Sequence, residues 1–226
     1  MSERLLPLFP LGTVLIPGQV LPLHVFEPRY RELVATLVDG PDDPELGRGF
    51  GVLAIREGHE VGADSVRSLH EVGTFARLQT VERYDDGRFD IVTVGTRRFR
   101  VDGFDTAASY LRGSVTWLPE GEGDTAAVLA PTARALFVEY RDRLAATGLL
   151  APIDPDTLTH DPSELSYLIA SAMVLDRSDR QHLLERADHA ARLRAEVTVL
   201  RRETALALHL PSIPAGDLAR TGISLN

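Results

Sequence analysis

The apolar residues of this chain are densest in its first 34 positions, where proline repeatedly interrupts them. Residues 5–34 read LLPLFPLGTVLIPGQVLPLHVFEPRYRELV, which contains five prolines. Proline is tolerated in sheets chiefly at edges, strand ends and bulges. The pattern therefore predicts two short strands of a small, strongly curved sheet, joined through a type II turn at Ile16-Pro17-Gly18-Gln19. Pro28 then begins an amphipathic helix, because apolar residues recur at helical spacing up to Val38.

Further strands are predicted up to Pro119. Residues 20–26 are expected to form a buried strand interrupted at Pro22, and the apolar run FGVLAI at 50–55 is typical of another. Strands at 73–84 and 89–94 are joined by Asp85-Asp86-Gly87, a hairpin signal. Gly95 permits a bend or bulge before a strand at 98–101, and a last strand is predicted at 110–118.

Beyond Gly121-Glu122-Gly123 the chain changes to helical spacing. Helices are predicted over about 125–147, over 165–174 after a cap at Asp161, after a cap at Ser178, and over 188–208. Strands followed by helices indicate an α+β fold and not a doubly wound parallel sheet. We expect a barrel-type β subdomain at residues 1–120, a helical bundle at 121–208 and a loosely ordered tail at 209–226.

The composition excludes several kinds of catalytic site from these residues. The chain has no cysteine, and all 24 of its basic residues are arginine. A P-loop needs a lysine on the phosphates, and a Ser–Lys dyad or a Schiff base needs one at the reacting centre. No GxSxG, HExxH or GxGxxG motif stands in the required context. We predict no catalytic residues, no metal and no cofactor.

The charge and the hydropathy pattern bear on partners and location. A formal net charge of −9 argues against a nucleic-acid partner, because such binding rests on a positive surface. No apolar run approaches the roughly 18 residues of a membrane span. The N-terminus carries an acid beside its arginine and prolines within its apolar part, unlike a signal peptide. We predict no membrane segment and a cytoplasmic location.

Two groups of residues are candidates for contacts with a partner. Leu15, Ile16 and Pro17 stand at a turn, with Val20 and Phe50 nearby; either they form an exposed apolar patch for a peptide, or they fold back onto the core. Arg97, Arg98 and Arg100 form a basic cluster able to hold phosphate or an acidic peptide. The interpretation we favour for this cluster is a solvated strand face paired with Asp102 and Asp105.

The opening segment, with its P-L-x-P-L start and its P-L-x-V-F-E-x-R-Y run, resembles the N-terminal domain of Lon proteases. The similarity continues through GVLAIRE, through EVGTFARLQTVERYDDGRFDIVTVGTRRFRV and through DPSELSYLIASAMVLDRSDRQHLLE. It covers roughly Leu5 to Leu208. The resemblance implies a PUA-like β-pseudobarrel N-terminal subdomain followed by an α-helical bundle subdomain.

The resemblance also implies a role in substrate recognition, namely binding of unfolded or degron-bearing polypeptides. The ATPase and Ser–Lys protease domains that follow in Lon have no counterpart here, so we expect a stand-alone, non-enzymatic module, an adaptor or regulator of proteolysis. A protease or a second copy of the chain is the expected partner besides polypeptide segments. Two alternatives stay open: an RNA-binding PUA-like protein, and a small-molecule sensor or enzyme that uses the barrel–helix cleft.

Overall fold

The computed structural model describes residues 5–56, 68–148, 151 and 153–207. These residues form two compact units. The first, here called the barrel unit, holds the chain up to Glu120 together with Ala170–Arg186. The second, the helical unit, holds Gly121–Ile169 and the chain from Ala187 onward. The tail predicted for residues 209–226 lies outside the described residues.

The barrel unit is built on one mixed sheet of six strands. They are β1 (Leu6–Leu11), β2 (Val20–Val25), β3 (Gly49–Ala54), β4 (Val72–Arg83), β5 (Phe89–Asp105) and β6 (Arg112–Trp117). The order is β2-β5-β4-β3-β1-β6, and β6 also pairs with β5. That last pairing closes five strands into a barrel, while β2 extends the sheet beside the first half of β5. Among the strand pairs of the described residues, β1–β3 is the one parallel pair.

One long strand, β5, replaces the two that were predicted on either side of Gly95. A Cβ at position 95 would lie 2.6 Å from the carbonyl oxygen of Ile16. Glycine at this position thus allows the Ile16 turn to approach the strand closely, and the strand continues without a break. The bend or bulge predicted at Gly95 is confirmed, because Ala76 of β4 pairs with Gly95 whereas Thr74 pairs with Arg98, which leaves one extra residue on β5.

The inner face of the sheet packs on helix α1 (Pro28–Asp39). The larger apolar cluster joins α1 to the strands, with the rings of Phe9 and Tyr30 stacked at 3.9 Å. Its members from β2 are Leu21, Leu23 and Val25, which alternate along the strand as one face of a pleated sheet requires. Burial of each such side chain stabilises the fold by roughly 1.5–3 kcal/mol.

The barrel unit also includes the end of helix α3 (Pro162–Ala172) and all of helix α4 (Arg177–Leu184). Arg177 donates to the carbonyl of Ile55 at 2.7 Å, and Gln181 donates to the carbonyl of Val72 at 3.0 Å. These bonds to strand ends hold residues 170–186 beside the barrel, whereas the sequence grouped them with the helices. Asp176, and not Ser178, caps α4 by accepting from the amide of Asp179; the predicted cap was wrong.

The helical unit consists of α2 (Ala126–Ala146), most of α3 (Pro162–Ala172) and α5 (His189–Ala207), with a short 3₁₀ turn at Pro155–Thr157. The Asp161 cap of α3 is confirmed, since its carboxylate accepts from the amides of Ser163 and Glu164. Helix α5 buries an apolar seam that also includes two charged residues, Arg192 and Glu196.

Candidate functional site

The turn at Leu15-Ile16-Pro17 lies in the interior of the barrel unit. Leu15 is 2% exposed, Ile16 is fully buried and Pro17 is buried as well. The Thr74 hydroxyl donates to the carbonyl of Leu15 at 2.6 Å and fixes the turn against β4. Of the two alternatives for this turn, the structure shows the buried one, so these three side chains cannot meet a partner at the surface.

The other two predicted contact residues separate. Phe50 is fully buried in the core cluster, within a strand whose six residues are all buried. Val20 is 57% exposed. It is therefore the one member of the predicted peptide site that a partner can reach.

Arg98 is not available to an anion, because its side chain is only 1% exposed. Its guanidinium donates to the carboxylate of Glu120 and to the carbonyl oxygens of Pro119, Leu184 and Arg186. The charge is neutralised within the barrel unit, where it ties β5 to the residues after β6 and to the end of α4. The structure gives Arg98 a structural role.

Arg97 and Arg100, the other two arginines of the predicted cluster, do not form a cluster with Arg98. Arg97 pairs with Glu45 at 2.8 Å and lies 5.0 Å from the centre of the Trp117 ring. Arg100 is exposed. We had favoured pairing of these arginines with Asp102 and Asp105, and this prediction was wrong. Asp105 pairs with Arg112 instead, and Asp102 accepts from the Thr116 hydroxyl.

An exposed face of the sheet stands out instead, formed where β2, β5 and β4 lie side by side. The strand register sets three rows of neighbours across it. The rows are Val20, Val94 and Arg77; Pro22, Val92 and Thr80; and His24, Asp90 and Glu82. Directly opposed side chains in such rows are about 4.5–5.5 Å apart. We call this surface the outer face, and Phe26, which is 61% exposed, follows at the end of β2.

On β2 and β5 the first two rows of the outer face are apolar, whereas β4 contributes the exposed residues Arg77 and Thr80 to them. Val20 and Pro22 are exposed, and Val92 and Val94 are half-buried. The opposite face of the same three strands packs on α1, so this part of the sheet is covered on one side only. A shallow groove of about 470 Å³ lies on the outer face between Pro22 and Glu82. Contiguous exposed apolar surface of this kind is typical of a binding site.

A polar network borders the apolar rows. His24 Nδ1 lies 2.5 Å from one carboxylate oxygen of Asp90, and the Tyr84 hydroxyl donates to the other at 2.7 Å. The hydrogen bond with His24, followed by that with Tyr84, lowers the pKa of Asp90. The same bond to Asp90 raises the pKa of Tyr84. Asp90 is thus held ionised and Tyr84 neutral at the edge of the groove.

Two other pockets are less suited to a polypeptide. A cavity of about 700 Å³ in the helical unit is lined by small apolar side chains and Arg134. That guanidinium donates to the carbonyls of Pro155, Leu158 and Thr159. In the barrel unit, a pocket of about 460 Å³ beside Trp117 has Glu45 on its rim, and Arg97 neutralises that carboxylate. Among the described residues that line these two pockets, no set of unpaired polar groups converges, as a small-molecule site needs for orientation.

Comparison with known proteins identifies the family. The model of the ATP-dependent protease La (LON) substrate-binding domain matches residues 5–202, nearly the whole chain. The chain belongs to the Lon substrate-binding domain family. Lon protease 4 of Sorangium cellulosum is 31% identical over 208 residues, and Lon protease of Brevibacillus choshinensis is 27% identical over 209. Each match covers 89% of this chain but only 24% and 25% of those proteases.

Solved structures show the same fold. The N-terminal domain of Mycobacterium avium complex Lon protease has a TM-score of 0.63 at 24% identity, covering 92% of this chain and 100% of that one. The Lon N-terminal domain protein of Xanthomonas campestris has a TM-score of 0.56, also at 24% identity, with 92% and 99% covered. The resemblance to Lon and the α+β fold predicted from the sequence are thereby confirmed.

For this Lon substrate-binding domain, the sequence did not reveal the outer face. We interpreted residues 20–26 as a buried strand because most of them are apolar, yet in β2 only Val25 is buried, Leu21 and Leu23 are half-buried, and the residues between them are exposed. The signal was present in the alternation of Leu21, Leu23 and Val25 with Pro22 and His24. No described helix is long and apolar enough to cross a membrane. Nor do three His, Asp or Glu residues meet as a metal site within the described ranges.

Proposed function

We propose that this domain binds extended apolar segments of polypeptides on the outer face of β2, β5 and β4. The observation that carries the proposal is the exposed apolar surface formed by Val20, Pro22, Val92 and Val94, on strands that are covered by α1 on their other side. A flat, pleated apolar surface suits an extended segment, because alternate side chains of that segment point the same way.

The geometry of β2 favours side-chain contacts over strand addition. Among the described strands, β2 pairs only with β5, so its outer edge is open. Proline has no N–H, and Pro22 therefore removes a donor at the middle of that edge. Such a residue weakens pairing with a further strand. Affinity would then come mainly from apolar contacts across the face, which tolerate many sequences, as recognition of unfolded polypeptides requires.

The family supports a role in proteolysis. The matching model describes a substrate-binding domain, and the relatives named above are proteases, whose substrates are polypeptides. We propose that the chain is a non-enzymatic binding module that acts as an adaptor or regulator of proteolysis. In this role it presents polypeptide segments to a protease, or it binds them as a homodimer. Its 226 residues contain no lysine for a P-loop or a Ser–Lys dyad. The cytoplasmic location stays a prediction.

Binding of a fluorescently labelled, alternating apolar peptide tests this function. In the double variant Val20→Thr, Val94→Thr, two apolar methyl groups become hydroxyls while shape and strand propensity are kept. Each methyl group is worth about 0.8 kcal/mol when buried, so we expect affinity to fall about tenfold.

The matched control is Val128→Thr, Val174→Thr, since these valines are 76% and 63% exposed and lie elsewhere. Affinity should not change in that variant. Equal affinities of both double variants and the parent protein would show that the outer face is not the binding site. Absence of binding by the parent protein would refute the function itself.

A further inference from the structure

The outer face ends in a row that carries two carboxylates. Asp90 of β5 and Glu82 of β4 are direct cross-strand neighbours, and His24 of β2 completes the row. Like charges directly opposite each other destabilise a sheet unless a cation lies nearby. This row therefore places two carboxylates side by side next to an apolar surface.

The neighbouring groups neutralise only part of this negative charge. Asp90 is bonded on both oxygens, to His24 and to Tyr84. Arg88 of the hairpin forms an ion pair with Asp86 at 2.7 Å and lies 3.5 Å from His24 Nε2, so its charge acts on the Asp90 side of the row. Glu82 is exposed, and no hydrogen bond or ion pair links its side chain to any other described residue. One end of the apolar face thus presents a carboxylate that is open to a partner.

The spacing of the rows fits an extended segment. Along β2 and β5 neighbouring rows are two residues apart, which is about 6.6 Å, whereas on β4 a register shift between Leu78 and Thr80 sets the first two rows three residues apart. In a segment lying along the strands, side chains i, i+2 and i+4 have the same spacing and face the same way. A segment whose apolar residues cover the rows of Val20 and Pro22 therefore places its next inward side chain at Glu82. The methylene stem of an arginine or lysine could cover Val92 while its charge reaches Glu82 and Asp90.

We propose that the preferred partners of this face are extended segments of the pattern apolar–x–apolar–x–(Arg or Lys), with the cation bound at Glu82. The inference rests on the proposed function and adds a substrate class to it. The net charge of −9 acts in the same direction, since it attracts basic segments at a distance.

Three labelled peptides distinguish the proposed cation preference from the proposed binding of apolar segments. They share apolar residues at positions 1 and 3 of an alternating segment and carry Arg, Gln or Glu at position 5. By fluorescence anisotropy at low ionic strength, we expect the Arg peptide to bind about threefold more tightly than the Gln peptide, and the Glu peptide more weakly than both. Moving the Arg to position 4, on the opposite side of the segment, should abolish its advantage.

Variants of the protein then locate the cation site. Glu82→Arg should reverse the order so that the Glu peptide binds best, and Glu82→Gln should reduce the preference without reversing it. Glu71→Arg makes the same charge change at an exposed position before β4 and should keep the original order. If all peptides bind alike to every variant, the cation preference is refuted while the proposed function stands. If the parent protein binds none of the peptides, both are refuted.

Discussion

At the scale of single residues, Arg98 shows how a charge becomes part of a core. Its guanidinium is 1% exposed and satisfies three backbone carbonyls as well as the Glu120 carboxylate, which it reaches at 2.9 Å. Removing one partner of a buried ion pair leaves the other groups without their hydrogen bonds. The side chain is therefore costly to lose, although it contributes nothing to binding at the surface.

We predict that Arg98→Ala lowers the free energy of unfolding by about 3–5 kcal/mol. Arg100→Ala, an exposed position on the same strand, should change it by less than about 0.5 kcal/mol. Urea unfolding followed by Trp117 fluorescence measures both, because the only tryptophan lies in the barrel unit. A similar small effect of the two substitutions would contradict the buried network.

Because Ile16 is buried, a substitution at this position tests folding and not binding. An aspartate at this fully buried position would place an unpaired charge in the interior, so loss of binding there would report loss of folding. Val20, four residues further and 57% exposed, does not have this difficulty. Substitutions on the outer face are therefore the informative ones.

At the scale of elements, the start of α4 distinguishes two possible caps. The sequence offers Ser178 with Gln181 as a capping box, but the structure begins the helix at Arg177. Asp176 accepts from the amide of Asp179 at 2.8 Å, and the Gln181 side chain instead donates to the carbonyl of Val72. A long-range bond to a strand end thus displaced the local motif that the sequence suggested.

We predict that Asp176→Ala lowers the free energy of unfolding by about 1 kcal/mol, the usual cost of an N-cap. Ser178→Ala should be close to neutral or slightly stabilising, because alanine favours helices and this serine caps nothing. Denaturant unfolding of the two variants side by side measures the difference. A larger loss for Ser178→Ala than for Asp176→Ala would restore the capping box of the sequence.

Local signals predicted the elements well, and long-range contacts account for what they missed. The hairpin glycine Gly87 has a φ of +81°, as its turn motif implied, and Asp161 caps α3. By contrast, nothing near residues 170–186 in the sequence reveals their contacts with strand ends. The outer face was missed because hydrophobicity alone does not say which side of a strand is covered.

At the scale of the whole molecule, ionisable side chains lie in the interior as well as on the acidic surface. The chain is acidic overall, yet helix α5 buries both an arginine and a glutamate. Arg192 hydrogen-bonds to Ser166 and lies 4.0 Å from the centre of the Tyr167 ring. Neither carboxylate oxygen of Glu196 has a hydrogen-bond partner among the described residues. The helical unit thus contains a buried acid whose charge is poorly compensated.

The sign of the resulting pH dependence follows from burial. Desolvation raises the pKa of Glu196 well above its usual range, and attraction to Arg192 opposes this only in part. In the unfolded chain the same group titrates near its ordinary pKa of about 4.3. Between that pH and the raised pKa, the folded state therefore binds more protons than the unfolded one. The contribution of Glu196 to the free energy of unfolding is therefore fully present below about pH 4.3, and it is lost as pH rises through this window.

We predict that Glu196→Gln removes this decline, because glutamine does not titrate. The stability of the variant relative to the parent should rise with pH above about 4.3, by roughly 1 kcal/mol per pH unit, until the raised pKa is passed. Urea unfolding followed by the helical circular dichroism signal at several pH values measures the difference. Glu139→Gln is the control, since this exposed glutamate of α2 pairs with Arg143 at the surface. A difference between Glu196→Gln and the parent that does not vary with pH would show that Glu196 is ionised in the folded protein throughout.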